Sequence, residues 1–464
     1  MPGNPSSADA ATVLGPATRR IAAFARETAW ADIPDSVKHE AKRSLLNGFA
    51  TALGGCREPA VETSLAVLRR FSGAESCGLV GRRDRADMLL AAFVNAMSAN
   101  IFDFDDTHPA TVIHPTAPVA PALFALAETG AEGCSGADLL RAFILGGEIE
   151  CRLGNAVSPF HYARGWHITA TCGVFGAAVG AGTLLGLSEE RFGWALGNAS
   201  AQASGLVETL GTMSKSIGVG NAARNGLLAA LLAAEDFSGP AAPVEGLRGF
   251  LAVYGDGDVA RNLDTLFDGL GETWEIAKNT YKPYPTGVVL NPVMEACIKL
   301  HRDGAVAIED VAEVELTGNP FLQQRTDRPA VTTGRESQVS AQHAIAIALR
   351  RGRAGLAEFD DAAVAETLHD GIRPTVRFVD DASYDIESVR MVVRTRDGGE
   401  TTVDIEDTRG GSNNPMTDDD LTEKLAMLAE YGGFGRDVAP LADAIWSLDT
   451  TEDAGAVMQL CTQP

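Results

Sequence analysis

The sequence is short of basic residues. Its 464 residues carry 38 Lys and Arg against 62 Asp and Glu, a formal net charge of −24. Nucleic acids and anionic membrane surfaces need clustered cations, so this excess of acid argues against both as partners. A small anionic ligand stays possible, because a few basic side chains in a cleft can hold a positive local potential within an acidic protein. Metal-type cysteine spacing is absent too. The seven cysteines, at 56, 77, 134, 151, 172, 297 and 461, form no CxxC and are odd in number. Most stand among apolar or Ala/Gly-rich residues, where a reduced thiol packs as a small hydrophobe. No basic region followed by a continuous apolar run opens the chain, and the longest apolar stretches, broken by Gly, Thr and Ser, fall short of a membrane span. The expectation is a protein of the reducing cytoplasm without a membrane partner. No GxSxG elbow surrounds Ser204 or Ser214, and no phosphate or dinucleotide motif is complete around Gly218 and Gly220.

What is present is a large apolar content, 45% of residues, in a chain long enough to bury a core without disulfides. Residues 1–11 are Pro/Ser/Ala-rich and read as a frayed end. From about 17 to 234 the pattern is a succession of Ala/Leu/Gly-rich helices, with apolar stripes at 38–53, 88–99 and 137–153. Segments 168–186 and 222–234 are apolar all round, as buried helices are. Near 275 the character changes. Alternation at 311–317 and 389–395, and an Asp397-Gly398-Gly399 turn into 401–405, predict strands and a hairpin. A further strand is expected at 374–379, and helices at 291–301 and 338–350. Helices return at 418–431 and 438–448. The fold class predicted is mainly α: a helical domain over 1–275, a smaller α+β lid domain over 276–408, and C-terminal helices, 409–464, returning to the first domain.

Four stretches carry polar residues that core packing would not select. Residues 103–115 (DFDDTHPATVIHP) hold three carboxylates, Thr107, His108 and His114. They fit a capped turn, an organic acid/base site or a divalent-metal site, though the spacing matches no standard ligand motif. His167, in GWHIT, opens a buried helix, where the free N–H groups and the dipole favour a bound carboxylate. Lys215 stands in GTMSKSIGVGN, a Gly/Ser-rich loop before the helix expected from 222. Lys282 and Tyr284 stand in KPYP at the domain boundary, where prolines fix the backbone that would present them to an interdomain cleft.

In this order, DFDDT with HP at 114–115, GWHIT, GTMSK with GNAARNG, and KPYP resemble the MmgE/PrpD family of polycarboxylate dehydratases, decarboxylases and epimerases. The resemblance implies a helical domain with an α+β lid, a homodimer and an interdomain active site; the acid/base chemistry of such a site calls for no metal or organic cofactor. It carries the decarboxylase branch's Asp to Asp103, its Thr to Thr107, its histidines to His114 and His167, and its lysines to Lys215 and Lys282. The family's Tyr falls on a helix resembling SAQHAIAIAL, where this chain has His343. Such reactions pass through or near a carbanion beside a carboxylate. They need cations to hold negative groups, a base or acid at carbon, and stabilisation of enolate-like charge. The roles expected are His114 and Lys215 as the acid/base pair, Asp103 tuning its neighbours, and Thr107, His167, Lys282 and Tyr284 binding a small polycarboxylate. Mutual repulsion among these cations would bring a base toward neutrality. Closure of the lid would carry Lys282 onto the substrate. The leading function is a dehydratase or decarboxylase. The alternatives are a dicarboxylate epimerase, with His343 as its second base, and a non-catalytic binding protein.

Overall fold

The computed structural model describes residues 13–129, 133–411 and 413–463; the expectation for 1–11 lies outside them. The protein is mainly α. The predicted apolar stripes become Asp35–Gly55 (α1), Met88–Asn100 (α2) and Gly136–Val157 (α4), with Thr116–Thr129 (α3) between the last two. Ile168–Leu184 (α5) is buried from Ile168 to Gly182, as its lack of a polar face requires. It packs between α4 and Ser214–Ala234 (α6) at backbone range. A Cβ on Gly226 would meet Val174 O at 2.5 Å, and one on Gly146 would meet Gly176 O at 2.6 Å.

Helix α6 departs from the sequence reading. It begins at Ser214, so Lys215 lies in its first turn and not in a loop. Gly218 and Gly220 are glycines of packing: a Cβ on Gly220 would stand 2.8 Å from the Phe93 ring, and one on Gly218 would stand 3.2 Å from the Ala170 methyl. Among the described residues α6 is also the one helix long and apolar enough, by length and composition, to cross a membrane. That corrects the expectation that no stretch reaches this limit; half of its apolar window is buried within the fold.

The smaller unit is a four-stranded sheet with helices Asn291–Arg302 (α7) and Ala341–Arg351 (α8). Between the helical core and this sheet lies a bridge of two-residue strands, Asp106–Thr107 (β1) and Thr280–Tyr281 (β2), antiparallel with Asp106 opposite Tyr281. The sheet strands are Val311–Gly318 (β3), Thr375–Asp380 (β4), Val389–Thr395 (β5) and Glu400–Ile405 (β6), in spatial order β4-β3-β5-β6. The predicted hairpin is β5–β6, turning at Gly398 with φ +90°. Pairs such as Val314 with Val393 and Leu316 with Met391 put apolar side chains on the helix-covered face. This core begins at Tyr284, whereas Trp274, Ile276 and Tyr281 belong to the helical core, so the change of unit falls at Lys282–Pro283. Asp418–Tyr431 (α9) and Ala439–Trp446 (α10) pack back on α1.

Candidate active site

Asp103 is the hub. It follows α2 through a turn closed by its N–H to Asn100 O, and it adopts φ +56°, a left-handed backbone that Asp tolerates better than most residues. Lys215 Nζ donates to Asp103 Oδ1 at 2.5 Å. Lys282 Nζ donates to Oδ2 at 2.8 Å and to the Asp103 carbonyl at 2.6 Å. His114 Nε2 stands 3.2 Å from Oδ1. The β1–β2 bridge explains how residues so far apart in sequence meet: it clamps the last two residues of DFDDT to Thr280–Tyr281, just before Lys282. Lys215, Lys282 and His114 have side chains 3%, 11% and 7% exposed, whereas the Asp103 side chain is 42% exposed. The cluster therefore reaches the surface at the Asp103 side chain. Asp103 lines an interdomain cleft of about 360 Å³ with Phe102 and Gly211 on the helical side and Thr286 and Arg335 on the other. An adjoining groove of about 540 Å³ shares Phe102, Gly211 and Arg335.

Burial opposes ionisation of Asp103, yet Lys215, Lys282 and His114 together hold its carboxyl well below the ordinary range. Burial would also push His114 down. The charges of Asp105 and Asp103 outweigh it and raise the imidazole to about 9, so at neutral pH His114 is a cation. That corrects the expected drift toward neutrality, which considered the cations without the two carboxylates among them. His167 behaves oppositely. Burial, then the charges of Lys215 and His114, lower it to about 3, leaving a neutral ring. No described residue hydrogen-bonds to that ring. Thr107 Oγ1 is 3.5 Å from His114 Nδ1.

Two acids that sequence reasoning left without a role complete the surroundings. Asp105 Oδ2 accepts from Asn100 Nδ2 at 2.7 Å, and its Oδ1 is 3.1 Å from His114 Nδ1. Asp106 accepts from Thr116 Oγ1 and Asn279 Nδ2; burial and the neighbouring Asp105 raise it to about 7. Asp103, Asp105 and His114 have potential ligand atoms within 4.8 Å of one another. Both Asp103 oxygens are already engaged by ammonium groups, a setting that suits an anion better than a further cation.

Residues 19–262 match the MmgE/PrpD N-terminal domain and residues 284–448 the MmgE/PrpD C-terminal domain. The chain belongs to the MmgE/PrpD family. It is 28% identical to the cis-aconitate decarboxylase-like protein oryM of Aspergillus oryzae over 97% of this chain and 98% of that one. It is 29% identical to a cis-aconitate decarboxylase of Aspergillus terreus over 96% of both chains. The Homo sapiens cis-aconitate decarboxylase is 27% identical over 93% of this chain and 92% of its own. All three relatives are named as decarboxylases or decarboxylase-like proteins.

Of the eight candidate residues read from the sequence, the structure gathers six: Asp103, Thr107, His114, Lys215 and Lys282 by direct contacts, and His167 within reach of their charges. The structure does not bring the other two there. His343 is fully buried in the smaller unit, its Nδ1 paired with Thr367 Oγ1 at 3.0 Å and its Nε2 with the Glu358 carbonyl at 2.8 Å. Both ring nitrogens are committed to holding α8 in place. Tyr284 is buried in the same core, near Glu295 and Arg409, and burial pushes its phenol far up. KPYP thus sends Lys282 and Tyr284 into different environments, because the chain changes unit between them. Lys282 already reaches Asp103, so lid closure is not needed to deliver it.

Proposed function

We propose that this protein is a tricarboxylate decarboxylase, with cis-aconitate as the first substrate to test. The observation that carries the reading is Asp103 at the edge of a cleft, its carboxylate ringed by Lys215, Lys282 and the His114 cation. Three cations against the carboxylates of Asp103 and Asp105 leave room for a polyanion to be held. The activity named for the curated relatives supplies the substrate class.

In this scheme Lys215 and Lys282 ion-pair with two substrate carboxylates. The bond from carbon to the departing carboxylate breaks, carbon dioxide leaves, and the electron pair spreads over the alkene toward a remaining carboxylate. The Lys215 ammonium or the His114 imidazolium then delivers a proton to carbon, and solvent restores it. Carbon dioxide is exchanged for a proton with no net oxidation, so the step calls for no electron acceptor. The cations are held in place beforehand by Asp103 and Asp105, which is the arrangement that stabilises developing negative charge. Carbon dioxide release from cis-aconitate, assayed in chelator-treated buffer, tests the reading; release that appears only on adding a divalent ion contradicts it. A water-losing or epimerising reaction would use the same cations, but the second base once assigned to His343 is engaged elsewhere.

The different charges of Lys282 and His167 separate their expected effects. Lys282→Ala removes a charged hydrogen bond to substrate and should raise KM roughly ten- to a hundredfold. His167→Ala removes a neutral partner and should raise KM by only about two- to tenfold. Steady-state kinetics on both variants measures the contrast, and equal effects would contradict the assigned charges.

We also propose a homodimer. Leu206, Leu210, Met213 and Ile217 are 40–57% exposed beside the cleft, an apolar surface that a second copy would cover. Light scattering at low micromolar concentration should give twice the chain mass, and a monomer alone would contradict it.

A further inference from the structure

Lys424, on α9, is 3% exposed and takes no part in the chemistry above. Its Nζ donates to the Phe104 carbonyl at 2.8 Å and to the Lys282 carbonyl at 2.9 Å. The ammonium also lies 3.7 Å from the centroid of the Phe104 ring. Phe104 directly follows Asp103, and the second carbonyl is that of Lys282 itself. One amine therefore ties the backbone on both sides of the Asp103–Lys282 ion pair, at a turn whose Asp103 holds φ +56°. Burial drives the Lys424 amine well below the ordinary lysine range, and the carboxylates of Asp105 and Asp106 oppose that. A lysine buried at such cost, with no anion in direct contact, calls for a role.

We propose that Lys424 is a positioning residue: it fixes the Asp103 turn against Lys282 and so sets the spacing of the cations that receive the substrate carboxylates. The proposal rests on the reading that Lys282 binds one of those carboxylates. The pinning needs two donors more than a charge. Lys424→Met removes both donors at similar volume, whereas Lys424→Gln can still donate two N–H bonds.

Tricarballylate, a tricarboxylate without the reactive double bond, is titrated calorimetrically into the wild type, both variants, Lys282→Met and the Lys282→Met/Lys424→Met double variant. Carbon dioxide release from cis-aconitate is followed in parallel. Lys424→Met should weaken binding about tenfold and lower kcat by up to roughly a hundredfold, the scale of a 1 Å misplacement. Lys424→Gln should recover most of both. In the Lys282→Met background, Lys424→Met should weaken binding further by less than about twofold, because a residue acting through Lys282 has nothing left to position. Wild-type values in folded Lys424→Met, or losses that multiply in the double variant, would overturn the proposal. If Lys424→Met does not fold, Lys424→Gln decides: binding within about threefold of wild type supports backbone pinning, and a folded protein that has lost binding contradicts it. A wild type that binds no tricarballylate would instead remove the polycarboxylate reading on which the proposal stands.

Discussion

Lys215→Ala is expected to lower kcat by roughly two to four orders of magnitude in a folded protein, the usual worth of a positioned acid or base. The side chain is 3% exposed and projects from the first turn of α6 to Asp103 Oδ1, the oxygen that His114 also approaches. Its loss leaves the turn held by Lys282 and Lys424, so the structural cost should be modest. The chemical cost should not be: a cation that shares Asp103 Oδ1 with His114 disappears from where negative charge develops. Lys215→Met, which keeps the buried stem, separates the two contributions. Circular dichroism and melting temperature establish the fold of each variant, and stable Ala and Met variants with near wild-type turnover would end the assignment of Lys215.

His114→Gln should cost a similar two to four orders of magnitude in kcat, and the pH profile gives this prediction its sign. His114 is raised to about 9, so a step that needs its proton is intact at neutral pH and fails as pH rises through about 9. Asp105→Asn removes the largest attraction that raises it, and should move that alkaline limb to lower pH. The same linkage acts on stability. His114 contributes fully below its unfolded value, near 6.5, and the contribution is lost as pH rises through about 9. A limb unmoved by Asp105→Asn would assign the proton to another group.

The helices were legible because burial imposes period and composition: Met88–Asn100 and Ile168–Leu184 can hardly be read otherwise. Asp103, His114 and Lys282 stood out because apolar packing has no use for them. What escaped was long-range or very short. The β1–β2 bridge that brings Lys282 to Asp103 is two residues per strand, too brief for any alternation. Gly218 and Gly220 looked like loop residues, since the Phe93 and Ala170 contacts that demand them are invisible in the local sequence. Asp105 was lost among three adjacent acids, and its partnership with His114 only the fold reveals. His343 drew attention through the resemblance of its helix, but Thr367 and the Glu358 carbonyl claim its ring. Lys424 gave no signal, because its partners are carbonyls 320 and 142 positions away.

In the proposed reaction these cations exchange carbon dioxide for a proton on a tricarboxylate. Proton NMR of cis-aconitate incubated with the wild-type protein in deuterium oxide, with carbon dioxide trapped, tests it most directly. The expected result is carbon dioxide in equal amount to a product dicarboxylate carrying one deuterium on the carbon that received the proton, both formed at least about a hundredfold more slowly in Lys215→Ala. Deuterium appearing in the recovered tricarboxylate with no carbon dioxide released would contradict the claim and establish proton exchange, the chemistry of an epimerase, in its place.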